Sequence, residues 1–137
     1  MNLNQVTVPS SDVRRSIDFY RRLGLILIVQ DLPGYARFEC PDGEATFSVE
    51  ERKGPLPGAG VVVYFECADL DAKVSALKEG GVVLDSEPQD QPWLWREAYL
   101  RDPGQPHLPV LGRTKPQKSA VAVAAMRWRR TKSRLRA

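Results

Sequence analysis

The sequence predicts an α+β fold made of two copies of one βαβββ module. Two amphipathic segments each begin near an aspartate, repeat apolar residues at intervals of three and four, and end at a glycine. These patterns superimpose at an offset of 57 residues, which places Asp12 on Asp69 and Gly24 on Gly81. Short alternating segments surround both helices and are typical of strands. The shared offset favours a duplicated module over two unrelated helices in an α+β domain.

The first module is predicted in about residues 1–52. Alternation over residues 3–8 predicts a strand that Pro9 ends, and Ser10 or Ser11 is expected to cap the following helix. Gly24 is expected to end that helix. Three more strands are predicted at residues 25–30, 35–40 and 45–51.

The second module is predicted in about residues 60–112, after a connector rich in proline and glycine. Asp69 is expected to cap its helix, and Gly80 and Gly81 to end it. Strands are predicted at residues 61–67, 82–84 and 93–100. The last strand of this module is doubtful, because Pro106 and Pro109 each lack the amide hydrogen that a strand donates.

The charge of the chain is divided between two regions. The 137 residues have a formal charge of +3, but residues 113–137 carry nine basic residues and no acidic one. The first 112 residues carry eleven basic and seventeen acidic residues, a net charge of −6. A single domain is therefore expected at residues 1–112, followed by a basic tail that is disordered or non-native. A tail of this kind can bind nucleic acid through phosphate contacts, which is the lesser expectation here.

Composition excludes several classes of protein. His107 is the single histidine, so a multi-histidine metal centre is impossible. Cys40 and Cys67 are too few for a disulfide scaffold and fit a reducing cytoplasm. No apolar run is long enough to span a membrane, and the first residues lack the pattern of a signal peptide. A cytoplasmic protein without a membrane partner is expected.

Four segments of the chain resemble the vicinal oxygen chelate superfamily, the group of glyoxalases, bleomycin resistance proteins and extradiol dioxygenases. The resemblance covers about residues 1–104 and implies two paired modules whose mixed sheets curl around a cleft, with the helices outside. It also implies a homodimer. The matching segments are residues 3–8, the Phe-Tyr-x-x-Leu-Gly stretch that ends at Gly24, residues 65–72 and residues 100–104.

The resemblance also locates the positions at which metal-dependent members hold their ion. These positions fall on Gln5, Ser48, Val62 and a residue beyond Pro103. A valine has no donor atom and a serine hydroxyl is a weak ligand, which leaves Gln5 as the one candidate. The expectation is therefore no cofactor, since a divalent metal would have an incomplete ligand set.

Strand alternation combined with the family orientation predicts the lining of the cleft. Glu97 is the one candidate general base, should burial raise its pKa; the alternative is a salt bridge to Arg37 or Arg96. The predicted lining combines aromatic and charged side chains, which suits an organic ligand with polar substituents. Its members are Gln5, Thr7, Tyr35, Arg37, Glu39, Ser48, Glu50, Val62, Tyr64, Trp93, Trp95, Glu97 and Tyr99.

Three functions are compatible with these observations. The resemblance favours a protein that binds a small organic ligand without metal, as drug-resistance members of the superfamily do. The alternative is a metal-dependent lyase, isomerase or dioxygenase of the same superfamily, and whether any reaction is catalysed stays open. The third is an adaptor that binds nucleic acid through the basic tail.

The segment from about Gln105 departs from the family pattern, which continues with an asparagine and a final strand. Codons that encode Gln105 to Leu111 can be read in the next frame as Asn-Arg-Ile-Cys-Leu-Tyr-Trp, which restores both features. We therefore expect a frameshift, in the gene or in its reported sequence, and the coding DNA decides it.

Overall fold

The computed structural model describes residues 1–56, 62–93 and 95–104, and the backbone of residues 109–114. No helix in these parts of the chain is long and apolar enough to cross a membrane. The first half of the chain forms β1 (Gln5–Ser10), α1 (Val13–Leu23), β2 (Ile26–Asp31), β3 (Tyr35–Glu39) and β4 (Thr46–Glu51). The second half forms β5 (Val63–Cys67), α2 (Leu70–Glu79), β6 (Gln89–Asp90), β7 (Arg96–Arg101) and β8 (Pro109–Thr114).

The two halves have the same sheet topology. The first sheet has the order β1-β4-β3-β2 and the second the order β5-β8-β7-β6. In each, the first and last strands of the module pair in parallel, and the remaining neighbours are antiparallel. The prediction of an α+β fold with two βαβββ modules is therefore confirmed.

Both helices begin at an aspartate. The Asp12 carboxylate accepts a hydrogen bond from the Arg15 amide at 3.1 Å, and Asp69 accepts one from the Ala72 amide at 3.0 Å. The prediction that Ser10 or Ser11 caps α1 is wrong, because Asp12 occupies that position. At its other end α1 stops at Gly24 as predicted, with a positive φ of 99°.

Two predictions about strands need correction. Pro9 does not end β1 but lies within it, opposite Glu50; β1 is an edge strand, where a residue without an amide hydrogen is tolerated. The predicted strand at residues 82–84 is only a bridge between Leu84 and Leu100, and the short β6 follows it.

The doubtful last strand is formed. Pro109 is the first residue of β8 and pairs with Arg101, a position that requires no ladder donor. Pro106 lies outside the described residues. So do the tail beyond Thr114 and, apart from the backbone of β8, the segment on which the frameshift hypothesis rests.

The main core joins the two modules. Tyr20 of α1, and Phe38 and Phe47 of the sheet that it packs on, are at most 2 % exposed. Phe65 of the second module contacts this group, with its ring centroid 5.4 Å from that of Phe47 and 6.4 Å from that of Tyr20. A smaller cluster joins Leu70 and Val74 of α2 to Ala98 of β7. Each sheet thus packs one face on a helix, and we call the other its helix-free face.

A polar contact between the modules lies beside this core, and we call its four residues, Ser10, Ser16, Asp102 and Gly104, the serine–aspartate junction. The Ser10 and Ser16 hydroxyls are 2.7 Å apart, and the Gly104 amide donates to the Asp102 carboxylate at 2.7 Å. Next to it, the Ser11 amide donates to the Gly104 carbonyl at 3.0 Å. The turn that follows β7 is thereby fixed to the start of α1.

Candidate functional site

The helix-free face of the first sheet presents rows of side chains from all four strands. Residues paired in register lie side by side on one face of a sheet. One row consists of Thr7, Ser48, Arg37 and Val29. The next row consists of Gln5, Thr46, Glu39 and Ile26.

Gln5 lies at the centre of a hydrogen-bond network on this face. Its amide nitrogen donates to the Ser48 hydroxyl at 2.9 Å and to the Thr7 hydroxyl at 3.2 Å. A longer contact of 3.4 Å reaches the Tyr35 hydroxyl. Thr7 and Ser48 are themselves 2.7 Å apart, and Ser48 is fully buried although it faces away from the helix. These contacts hold four predicted cleft residues in one group.

Arg37 lies beside this group and contributes guanidinium hydrogen-bond donors to the same face. Its Nε and Nη2 atoms both point at the Thr46 hydroxyl, at 3.3 and 3.2 Å. A guanidinium has five N–H donors, and among the described residues Thr46 is the one side chain bonded to them. The predicted neighbours Glu39 and Glu50 are exposed on the same face.

The second sheet carries a buried carboxylate on its helix-free face. Glu97 is 1 % exposed and accepts hydrogen bonds from the Trp93 indole at 2.9 Å and the Tyr99 hydroxyl at 3.0 Å. The next residue on β7, Ala98, packs under α2, so Glu97 and Tyr99 face the other way. Three predicted cleft residues are therefore in contact.

The salt bridge predicted as the alternative role of Glu97 is not formed with Arg96. Neighbouring residues of a strand point to opposite faces, and Arg96 binds Asp71 at 2.8 Å and Asp90 at 2.9 Å. Two guanidinium nitrogens of Arg96 donate to the Asp71 carboxylate, each at 2.8 Å, and these hydrogen bonds lower the pKa of Asp71. The other predicted partner, Arg37, has its described bonds on the first sheet.

The remaining predicted residues supply apolar surface to the second sheet. Val62, Tyr64 and Trp93 are 42–53 % exposed, and Trp95 is partly buried. Tyr64 and Tyr99 flank the same β8 position, Leu111, and so share the helix-free face. Aromatic surface of this kind suits contact with a flat organic molecule.

Four residues of the first helix-free face were missed by the sequence analysis. Ile26, Ile28 and Val29 of β2 are 41–49 % exposed, although all three are large and apolar. Residues 25–29 are apolar throughout, so their alternation gives no sign of which side chains face the core. Thr46 of β4 was missed because, of the residues on this strand, the predicted lining included only Ser48 and Glu50.

The donor set does not fit a divalent metal. The three described family positions hold the neutral amide of Gln5, the hydroxyl of Ser48 and the hydrocarbon side chain of Val62, which together supply one good neutral ligand oxygen and no charged one. Within the described ranges no three histidine, cysteine, aspartate or glutamate side chains lie close enough to hold an ion. No chemistry is therefore assigned to a metal at these positions.

The two βαβββ modules define the fold class of this protein, and its helix-free faces carry polar and aromatic side chains. The sequence model of the Glyoxalase/Bleomycin resistance protein/Dioxygenase superfamily matches residues 2–105, and the chain belongs to that superfamily. None of the curated protein sequences compared with it is significantly similar.

Solved structures show the same fold at low sequence identity. A glyoxalase/bleomycin resistance protein/dioxygenase from Nocardioides is 21 % identical, with a TM-score of 0.68 over 86 % of this chain and 85 % of that one. A lactoylglutathione lyase from Agrobacterium tumefaciens is 17 % identical, with a TM-score of 0.67 over 82 % and 92 %. An integron cassette protein from the metagenome of the Halifax Harbour sewage outfall is 18 % identical, with a TM-score of 0.70 over 83 % and 98 %.

Proposed function

We propose that this protein binds a small organic ligand on its helix-free faces and does so without a metal ion. One observation carries the proposal: of the three described positions at which relatives hold a metal, two carry neutral side chains hydrogen-bonded to each other and the third carries a hydrocarbon side chain. Gln5 donates to Ser48 at 2.9 Å, and Val62 has no donor atom. Beside them, Arg37 keeps guanidinium donors for a ligand.

The ligand class follows from the two faces. A carboxylate, phenolate or carbonyl oxygen is the natural partner of Arg37, because a guanidinium presents paired donors to such oxygens. Flat apolar parts of the ligand would lie on Tyr64 and Trp93. The proposed ligand is thus an aromatic or unsaturated molecule with at least one oxygen substituent.

We propose a structural role for Glu97, not the role of a general base. Its carboxylate is 1 % exposed, and two donors from Trp93 and Tyr99 already bind its oxygens. A general base needs a lone pair within reach of the substrate proton. We assign Glu97 to holding the Trp93 and Tyr99 rings in place.

Two further properties belong to the proposal. A homodimer is the expected assembly of this superfamily, and the exposed apolar residues of β2 offer surface for it. Cys40 and Cys67 form no disulfide, which is compatible with the reducing cytoplasm proposed as the location.

A thermal-shift screen of oxygenated aromatic compounds tests the proposal, with the full chain purified and its metal content measured. Compounds that bind the folded state raise the Tm. We expect hits whose shift survives chelation by EDTA and disappears in Arg37→Met. Arg14→Met, a change of the same size at an exposed arginine of α1, serves as the control. A stoichiometric divalent ion, or hits that EDTA abolishes, would instead favour the metal-dependent enzyme.

A further inference from the structure

A cavity of about 320 Å³ lies on the helix side of the molecule, between the two modules. Its walls come from the end of α1, the turn between β3 and β4, the edge of β5, and the inner surfaces of α2 and β7. Among the described residues of the two helix-free faces, Tyr64 and Glu66 of β5 border it. Among its wall residues are Leu25, Cys40, Cys67, Leu70, Val74 and Ala98.

The duplicated architecture forms this junction twice. In the first module, the turn after β7 is hydrogen-bonded to the start of α1; at the equivalent place in the second module, the turn after β3 and the start of α2 lie on opposite walls of the cavity. The 57-residue offset places Ser10 on Cys67 and Ser16 on Lys73. The cavity is thus the counterpart of the serine–aspartate junction.

The first copy is closed by hydrogen bonds and close packing. Ser16 donates to Asp102 at 2.9 Å, and a Cβ added to Gly104 would collide with the Ser10 and Ser16 hydroxyls. In the second copy, Cys67 replaces Ser10, and a thiol is only a weak hydrogen-bond donor. Leu77 of α2 occupies the position of Tyr20 in α1, and its side chain is smaller. The described residues therefore leave an apolar space beside Leu77.

We propose that this cavity is a second ligand site, and that it takes a compact uncharged aromatic molecule of one or two rings. Its volume is at the lower end of the range of roughly 300–1,000 Å³ that small-molecule pockets occupy. Dry apolar cavities of about half that volume already bind benzene. Asp42, Glu66 and Lys73 at the rim carry charges of both signs, which gives a charged ligand no advantage.

The two thiols provide a readout that is independent of the helix-free faces. Cys40 and Cys67 form no disulfide, are partly buried and both lie on the cavity wall. Burial raises the pKa of the Cys40 thiol, which slows its reaction with alkylating agents. A molecule inside the cavity should slow alkylation of both cysteines further.

Titration of the full chain with indole or fluoronaphthalene, followed by ligand-observed NMR, tests the site. Ala45 is an exposed residue at the cavity mouth, so Ala45→Trp obstructs entry without disturbing the core. We expect saturable binding that weakens about tenfold or more in this variant, by steric exclusion. Ala76→Trp adds the same ring to an exposed position of α2 away from the cavity and should bind as the parent does.

Two further measurements make the result decisive. Mass spectrometry should show that indole protects Cys40 and Cys67 from iodoacetamide in the parent protein and not in Ala45→Trp. Binding of indole should be the same in Arg37→Met, which separates this site from the proposed one on the helix-free faces. Absence of saturable binding, equal binding in Ala45→Trp, or loss of binding in Arg37→Met would each overturn the proposal.

Discussion

The Ser16 hydroxyl donates a hydrogen bond of 2.9 Å to the Asp102 carboxylate, although 86 positions of sequence separate the two residues. Both side chains are fully buried. Ser16 belongs to α1 of the first module, and Asp102 follows β7 of the second. Because the Gly104 amide donates to the same carboxylate oxygen, one buried acid connects the helix of one module to a turn of the other.

Ser16→Ala should lower the free energy of unfolding by about 1–3 kcal/mol, since it removes a donor from a buried carboxylate and one of the two described partners of the Ser10 hydroxyl, which keeps the Asp12 amide. Urea unfolding followed by circular dichroism measures the change. The control is Ser75→Ala on the exposed side of α2, which should change stability by less than about 0.5 kcal/mol. Equal effects of the two substitutions would contradict the role given to Ser16.

Asp102 should make stability depend on pH. Burial raises the pKa of its carboxyl group above the ordinary value of 3.8. Between the unfolded and folded pKa values the folded protein therefore binds more protons, so stability falls as the pH rises through that window. Above the folded pKa the loss is complete.

Asp102→Asn should remove that slope while keeping an oxygen for Ser16 and Gly104. Urea unfolding from about pH 4 to pH 8 should show stability decreasing in the parent relative to the variant. The lowered pKa of Asp71 gives a slope of opposite sign, but it is common to both proteins and cancels in the difference. A difference that stays constant with pH would show that Asp102 does not titrate in this range.

Gly104 should tolerate no side chain. A Cβ there would overlap the Ser10 and Ser16 hydroxyls and lie 3.0 Å from the Asp12 carbonyl. Gly104→Ala should therefore lower the Tm and cost about 1–3 kcal/mol, the usual range for overpacking. Gly34→Ala is the matched control, because the nearest atom to its Cβ is 3.9 Å away. Comparable Tm values for the two variants would exclude the close packing described here.

The sequence predicts the modules well because their signals are local. An aspartate cap, an apolar stripe and a glycine with positive φ are each set by neighbours within a few residues, as at Asp12 and Gly24. The prediction that Pro9 ends β1 was wrong because it depends on a non-local property. Whether a proline ends a strand depends on whether that strand lies at a sheet edge, which is a property of the whole fold.

The candidate site is only partly visible in the sequence. Strand alternation places Gln5, Thr7 and Ser48 on one face, and the structure brings them into one network. It cannot assign Ile26 or Val29, since every residue from 25 to 29 is apolar. The partners of Glu97 were also missed, because contacts among side chains on a shared face depend on rotamers as well as on alternation.

Tyr99 should contribute more to stability than other tyrosines on the helix-free faces. Its hydroxyl donates at 3.0 Å to Glu97, whose carboxylate is almost completely buried. A hydrogen bond to a buried charged group contributes about 1.5–3 kcal/mol, so Tyr99→Phe should lower the free energy of unfolding by that amount at neutral pH. The Tyr35 hydroxyl makes a longer contact of 3.4 Å with Gln5, and we expect Tyr35→Phe to cost less than about 0.5 kcal/mol.

Chemical unfolding of the two tyrosine variants side by side measures this difference, because both lose one hydroxyl from a partly buried strand position. Trp93→Phe provides a second check, since it removes the other described donor to Glu97. The double variant of Trp93 and Tyr99 should cost more than the sum of the single ones, because it takes both of these donors from a buried charge. Equal costs for Tyr99→Phe and Tyr35→Phe would show that the Glu97 carboxylate does not depend on the Tyr99 hydroxyl.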